Sequence, residues 1–170
     1  MEAYPDVVAK KKQSGGTPAT VALDRAGVRY AVRSYEHDPA AQSYGLEAAS
    51  ALGVDPERVF KTLLVQAEDG LAVGIVPVDA LLDLKAIAAA MGMKKVAMAD
   101  PALAERSTGY VVGGISPIGQ RKALPTVLDD SALGFDTVLV SGGKRGLDLE
   151  LAPQDLLTAT RGTTAPIARR

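Results

Sequence analysis

Two glycine-rich segments with basic residues at their ends carry the residue types best suited to chemistry. The first, residues 107–122, reads Ser-Thr-Gly-Tyr-Val-Val-Gly-Gly-Ile-Ser-Pro-Ile-Gly-Gln-Arg-Lys, and its four glycines and Pro117 exclude a regular helix or central strand. Because glycine permits positive φ and close backbone approach, the segment predicts a shaped loop whose N–H groups could converge on an anion or oxyanion. The pair Arg121-Lys122 at its end favours such a cradle.

The second segment, residues 141–146, reads Ser-Gly-Gly-Lys-Arg-Gly and follows an apolar run, so we expect it at the end of a strand. Two such loops in one small domain suggest a shared site, although each could also be an ordinary turn. Known phosphate-binding motifs fit poorly. Gly114 to Gly119 has the P-loop spacing but continues into Gln120-Arg121, and the dinucleotide-binding pattern fails at Ile115 and Ile118.

Lys61 is unusual because it stands in the apolar strand-like run Val-Phe-Lys-Thr-Leu-Leu-Val. It could be an edge-strand lysine with its amine in solvent, or an ammonium group at a cavity floor that polarises a carbonyl or pairs with an anion. Tyr35 could reach the same cavity from a neighbouring strand. His37 precedes Asp38-Pro39, a context typical of a turn residue.

Composition excludes several kinds of chemistry. The chain has no cysteine, which rules out disulfides, thiolate metal sites and a cysteine nucleophile on the protein. It has one histidine, and its carboxylates show no ligand spacing, so we predict neither a metal nor another cofactor. Any thiol chemistry must therefore belong to the substrate.

The charge is nearly balanced, with a formal net charge of −1, but basic residues occur in the local pairs Lys94-Lys95, Arg121-Lys122 and Lys144-Arg145. These pairs could form a positive patch or simply be solvated surface. A chain of 170 residues with 47% hydrophobic content predicts one domain. No apolar run approaches membrane-spanning length, and the expected location is the cytoplasm.

The predicted elements define a single domain over residues 17–165, preceded by a disordered leader over 1–16 and followed by a tail over 166–170. Capping and stop signals predict helices over 18–26, 44–52, 84–91, 101–106 and 153–160. Strand patterns occur at 28–36, 94–98, 126–129, 137–140 and 147–151, with a hairpin over 59–66 and 71–78. Because helices and strands do not alternate regularly, we predict a mixed α/β (α+β) fold, a curled mixed sheet or partial barrel with peripheral helices.

Seven short motifs together resemble the YbaK/EbsC family, in particular its YbaK-type Cys-tRNA(Pro) deacylases, over residues 17 to about 162. They are Thr-Pro-Ala at 17–19, Tyr-Glu-His-Asp at 35–38, Phe-Lys-Thr-Leu at 60–63, Lys-Lys-Val at 94–96, Ser-Thr-Gly-Tyr at 107–110, Gly-Gly-Ile-Ser-Pro-Ile-Gly at 113–119 and Ser-Gly-Gly-Lys-Arg-Gly at 141–146.

The resemblance implies a barrel-like fold related to the editing domain of bacterial prolyl-tRNA synthetases, and a domain that cleaves the ester of mischarged tRNA in trans. It implies that Lys61 is the residue most closely tied to activity, that Tyr35 lines the pocket and that loop 113–117 surrounds the reacting carbonyl. For cysteine, it implies that the substrate thiol attacks its own ester and leaves as a cyclic thiolactone. That reaction is formally a lyase reaction, whereas attack by water is hydrolysis.

On this basis the predicted site residues fall into three groups. The catalytic group is Lys61, Gly113, Gly114, Ile115 and Ser116. The substrate-binding group is Tyr35, His37, Thr62, Pro117, Ser141, Gly142, Gly143 and Lys144. The group expected to contact tRNA phosphates is Lys94, Lys95, Arg121, Lys122 and Arg145.

The expected partners are an aminoacyl-tRNA and a prolyl-tRNA synthetase, with no membrane. Two alternatives remain open at this stage: deacylation of another small amino acid such as alanine or serine, and a non-catalytic module that binds tRNA or a synthetase.

Overall fold

The computed structural model describes residues 16–170. The predicted leader therefore falls almost wholly outside the described residues. Within residues 16–170, no helix is long and apolar enough to cross a membrane.

Five α-helices form in the described chain, largely where capping signals predicted them. Thr17, Ser43 and Asp83 each accept a hydrogen bond from a backbone N–H three residues later, as N-caps do. Gly27 and Gly53 end two of the helices with left-handed backbone conformations, which glycine adopts without strain. The helices are α1 (Pro18–Ala26), α2 (Tyr44–Leu52), α3 (Leu84–Ala90), α4 (Pro101–Thr108) and α5 (Pro153–Thr160).

Ten strands in the described chain form three sheets, of three, five and two strands, in the orders β1-β8-β7, β5-β2-β3-β6-β9 and β10-β4. The strands are β1 (Ala31–Ser34), β2 (Phe60–Ala67), β3 (Gly70–Pro77), β4 (Leu81–Leu82), β5 (Ala97–Met98), β6 (Thr126–Asp129), β7 (Val138–Lys144), β8 (Leu147–Leu151), β9 (Thr163–Ala165) and β10 (Ala168–Arg169). Two short 3₁₀ segments, Pro56–Arg58 and Asp130–Gly134, complete the regular structure of this part of the chain.

The topology confirms the predicted mixed α+β class. The β2–β3 hairpin is antiparallel, whereas β6 pairs in parallel with both β3 and β9. The sheets do not close into a barrel. The two larger sheets are joined by a parallel bridge between Val59 and Leu139, and this junction matters because the candidate site opens beside it.

The main core lies between the two larger sheets and helices α1 and α5. Val138, Val140 and Leu149 from the three-stranded sheet are fully buried with Leu23 of α1 and Leu156 of α5. The alternating side chains of β8 explain this arrangement, because Leu147, Leu149 and Leu151 share one face of the strand. The intervening acidic residues point to the other face, which is the face that contributes to the site.

Three predicted boundaries need correction. Residues 166–170 are not a tail: Ile167 is fully buried, β10 pairs with β4, and the carboxylate of Asp129 accepts hydrogen bonds from the N–H groups of Ile167 and Ala168, both at 2.9 Å. The strand expected at 28–36 is shorter because the Val28 N–H bonds to Leu23 at the end of α1. The strand expected at 94–98 is reduced to two residues, because β5 pairs only with Val65 and Gln66.

Candidate functional site

A cavity of about 420 Å³ opens between the two larger sheets. Its floor is β2 from Phe60 to Leu64, with Val59 before it. Helix α2, the start of α4 and the first glycine-rich segment, here called the first glycine loop (residues 107–122), form the walls. Ser141 and Asp148 enter from β7 and β8. This is the size and mixed lining typical of small-ligand sites.

Six of the predicted catalytic and substrate-binding residues line this cavity. They come from four separate places in the chain: Tyr35, Lys61, Thr62, Gly113, Ile115 and Ser141. The remaining predicted residues of these two groups do not line it. Ser116 is fully buried and its Oγ accepts a hydrogen bond from the Ile118 N–H, while His37 lies beside α2 and its Nδ1 is 2.9 Å from Glu47 Oε1.

Lys61 is partly buried within the cavity. Its pKa is lowered, mainly because partial burial removes water from the ammonium group, while the negative charge of Asp79 acts in the opposite direction. Asp79 is itself ion-paired with Arg170 at 2.8 Å. The Lys61 charge is therefore partly desolvated and favours a ligand oxygen as partner.

Thr62, the neighbour of Lys61, lines the cavity and carries an unsatisfied polar group. Its Oγ1 is buried and has no hydrogen-bond partner among the described residues. Leaving a buried hydroxyl unpaired costs free energy, so a ligand that bonds to this oxygen would recover it.

Asp148 is a cavity residue that the sequence analysis missed. Only 6% of the residue is exposed, and burial raises the pKa of its carboxyl to about 7, with the charge of Arg33 lowering it in part. Asp148 lies opposite Arg33 on β1 and Ser141 on β7. The pKa of Tyr35 is raised to about 12, mainly by burial and then by the charge of Asp148. The sequence analysis predicted only a strand over 147–151, and the alternation of acidic residues with leucines in β8 is the signal that could have revealed Asp148.

Glu150 shares that face of β8 and anchors the strand. Its carboxylate accepts hydrogen bonds from Arg33 at 2.6 Å, Arg58 at 2.9 Å and Thr137 at 2.5 Å. Burial alone would raise the pKa of Glu150, but the hydrogen bonds from Thr137 and Arg33 and the charges of Arg33 and Arg58 outweigh it, so the pKa is lowered. Arg33 therefore lies between two different carboxyl groups: that of Glu150, whose pKa is lowered, and that of Asp148, whose pKa is about 7.

The two glycine loops pack directly against each other behind the cavity wall. A Cβ added to Gly114 would lie 2.7 Å from the Cα of Lys144, closer than real side chains approach backbone. The Gly114 N–H donates to the Val111 carbonyl at 2.9 Å, so it is engaged within its own loop. In the second loop, the Gly142 carbonyl accepts a hydrogen bond from the Thr17 hydroxyl at 2.5 Å, and Gly143 fits against Tyr110 and Thr17. These glycines bring the loops together.

The predicted tRNA-contacting residues lie in three different places. Arg145 packs against Tyr44, a residue of the cavity lining, with its guanidinium carbon 4.9 Å from the ring centre. Arg121 and Lys122 pack against the last turn of α4 through backbone bonds to Thr108 and Ser107. The pair Lys94-Lys95 borders a second cavity of about 410 Å³ at the end of the β2–β3 hairpin, together with Glu68 and Asp69.

Comparison with known proteins assigns this architecture. A family model described as the aminoacyl-tRNA editing domain matches residues 38–159. The chain belongs to the aminoacyl-tRNA editing domain family. A protein of Enterococcus faecalis (strain ATCC 700802 / V583), named as a candidate Cys-tRNA(Pro)/Cys-tRNA(Cys) deacylase, EbsC, is 39% identical over 96% of this chain and 99% of its own length. The predicted family resemblance is confirmed.

Solved structures agree with this assignment of the fold. One, described as a candidate trans-editing enzyme for prolyl-tRNA synthetase, has a TM-score of 0.78 and 26% identity, and the match covers 98% of this chain and 100% of that one. Another, hypothetical protein APE2540, has a TM-score of 0.80 and 25% identity over 89% of this chain and 99% of that one.

Proposed function

We propose that this chain is a trans-editing aminoacyl-tRNA deacylase that removes cysteine from mischarged Cys-tRNA(Pro), with Cys-tRNA(Cys) as a second candidate substrate. The observation that carries the proposal is the cavity between the two larger sheets, which Lys61, Thr62 and the first glycine loop line together. The 39% identity to the Enterococcus protein supports the choice of cysteine.

The chemistry requires little beyond positioning. An aminoacyl ester is already activated, so holding it in a reactive geometry and stabilising the developing oxyanion can accelerate its cleavage. Lys61 is the cationic group for that oxyanion. Its lowered pKa reflects a partly desolvated ammonium group, whose attraction to a new negative charge is stronger than in bulk water. Thr62 is suited to orient the ester or the amino acid by a hydrogen bond.

The chain supplies no cysteine nucleophile, so we assign the attack to the substrate. The cysteine sulfur forms a bond to its own carbonyl carbon, and the bond from that carbon to the ribose oxygen breaks. The thiol proton passes to the departing ribose oxygen, which becomes a hydroxyl. The products are a cyclic thiolactone and uncharged tRNA. Asp148 lines the same cavity, and a carboxyl with a pKa of about 7 can accept and return that proton near neutral pH.

A substrate panel tests the proposal. Purified protein should release cysteine from tRNA(Pro) much faster than serine, because a hydroxyl is far less ionised than a thiol of pKa about 8.5. The rate should rise with pH toward that value, and mass spectrometry should detect thiolactone or its hydrolysis product. Lys85→Ala, which removes an exposed charge on α3, serves as the matched control for Lys61→Ala.

The other outcomes are equally informative. Efficient cleavage of Ala-tRNA(Pro) would assign water as the nucleophile for that substrate and alanine as the preferred amino acid. Binding of tRNA without cleavage of any ester would make the protein a non-catalytic module and overturn the proposal. Repeating the assay with added prolyl-tRNA synthetase tests whether that enzyme is a partner, through an increase in rate.

A further inference from the structure

We propose that Arg145 is a positioning residue that orients the peptide between Val112 and Gly113 at the wall of the cavity, and is not a phosphate ligand. The inference rests on the proposed deacylase function, because the peptide it orients is placed to act on the scissile ester. It replaces our expectation that Arg145 contacts the tRNA backbone.

The contacts of Arg145 are directed at one carbonyl group. Its Nε and Nη2 both donate to the Val112 oxygen, at 3.0 and 2.6 Å. The guanidinium also lies over the Tyr44 ring, 4.9 Å from its centre, an arrangement that favours a planar cation. Three separate segments, namely the second glycine loop, the first glycine loop and α2, therefore meet at this side chain.

Val112 is held on its other side by an acidic residue. Glu105 Oε2 of α4 accepts the Val112 N–H at 2.8 Å. A donor and an acceptor from different elements thus fix both backbone groups of one residue in an otherwise irregular loop. Such fixed dipoles cost no reorganisation when charge develops nearby.

This restraint determines where the next N–H points. Every described peptide bond is trans, so the Val112 carbonyl and the Gly113 N–H point in opposite directions across their shared peptide plane. Val112 and Gly113 line the cavity, whereas Arg145 lies outside the set of residues that line it. With the carbonyl directed toward Arg145, the Gly113 N–H is directed away from Arg145. In our proposal it faces the cavity as a donor for the ester oxygen.

The glycine at position 113 fits the same geometry. Its φ is +90°, and a Cβ would lie 2.8 Å from Arg145 Nε and 3.0 Å from the Tyr44 ring. A side chain here would be strained and would also displace the guanidinium from the Val112 carbonyl. Gly113 thus gives Arg145 access to the peptide it holds.

Steady-state kinetics with Cys-tRNA(Pro) separates this role from phosphate binding. In Arg145→Ala, kcat should fall by about tenfold to hundredfold, and KM should change by less than about threefold. The expected loss is smaller than that from removing an oxyanion donor, because the Gly113 N–H remains and only its orientation is relaxed. Arg145→Lys keeps the charge but loses the planar two-nitrogen contact, so kcat should remain reduced by at least about fivefold. The control Arg25→Ala, which removes an exposed arginine on α1, should match the wild type.

A double-mutant cycle with Glu105 tests the shared target. Glu105→Ala should also lower kcat. In the double variant of Arg145→Ala and Glu105→Ala, the fold-loss in kcat should be smaller than the product of the two single losses, because both residues restrain Val112. Independent, multiplicative effects would contradict this shared restraint.

Salt dependence and a structural readout complete the test. If Arg145 instead bound a tRNA phosphate, both Arg145 variants would keep a near-normal kcat. Arg145→Ala would then show a raised KM and a salt dependence of KM weaker by about one phosphate contact. That result would overturn the inference. The Gly113 amide resonance of ¹⁵N-labelled protein should shift in both Arg145 variants and stay in place in Arg25→Ala. If the wild type cleaves no ester, the proposed function fails. The positioning role is tested separately, because a Gly113 resonance that does not move in the Arg145 variants would refute it.

Discussion

Replacing Asp148 by asparagine should make the free energy of unfolding less dependent on pH. In the folded protein burial raises the pKa of this carboxyl from 3.8 to about 7. Between those values the folded state keeps a proton that the unfolded chain has lost, so stability decreases as pH rises through this window and the loss is complete above about pH 7. Asparagine has a similar shape and does not ionise.

The size of the effect follows from the shift. A change of about 3 pKa units corresponds to about 4 kcal/mol in total, of which about 3 kcal/mol falls between about pH 5 and pH 8.5. The attraction of Arg33 is already included in the shifted pKa. The stability of the variant relative to the wild type should therefore rise by about 3 kcal/mol between about pH 5 and pH 8.5.

Urea denaturation of both proteins at a series of pH values measures this difference directly. Groups outside the substitution occur in both proteins, and their contributions cancel in the comparison to first order. A difference between the two proteins that varies by less than about 1 kcal/mol over the range would refute the reasoning, because Asp148 would then not be a buried carboxyl that titrates near neutrality. An NMR titration of the Asp148 carboxyl carbon provides an independent value.

Three further substitutions test the site and its support. Lys61→Ala should retain the wild-type circular dichroism spectrum but lose at least about a hundredfold in deacylation rate, and near-wild-type turnover would contradict its role. Gly114→Ala should lose activity and about 1–3 kcal/mol of stability because its Cβ would meet the backbone of the second glycine loop, whereas Gly134→Ala, with no atom within 4 Å, should be nearly neutral. Glu150→Ala should lower the free energy of unfolding by about 2–4 kcal/mol, because it leaves two partly buried arginines without their carboxylate. Urea denaturation would detect this loss, and the control Glu57→Ala, at an exposed position, should not show it.

Much of the local structure and the family could be predicted from residues close together in sequence. Thr17-Pro18 and Ser43 mark the starts of α1 and α2, and Gly27 and Gly53 mark their ends, because caps act through hydrogen bonds spanning three or four residues. The strands β6 and β8 also lie at their predicted positions. The ordered motifs around Lys61 and the glycine loops indicated the family because they combine residue types that few folds require together.

The environment of those motifs depended on the tertiary structure. Asp148 could be interpreted as one more solvated residue of an alternating strand until its pairing with β1 and β7 placed it in the cavity. Arg145 belonged to a basic pair until the fold brought it against Val112, 33 residues away, and Glu150 acquired Arg33 as a partner across 117 residues. Sequence rules describe neighbours within a turn or a strand, but burial, pKa and the direction of a peptide group arise from contacts between distant segments, which only the folded chain brings together.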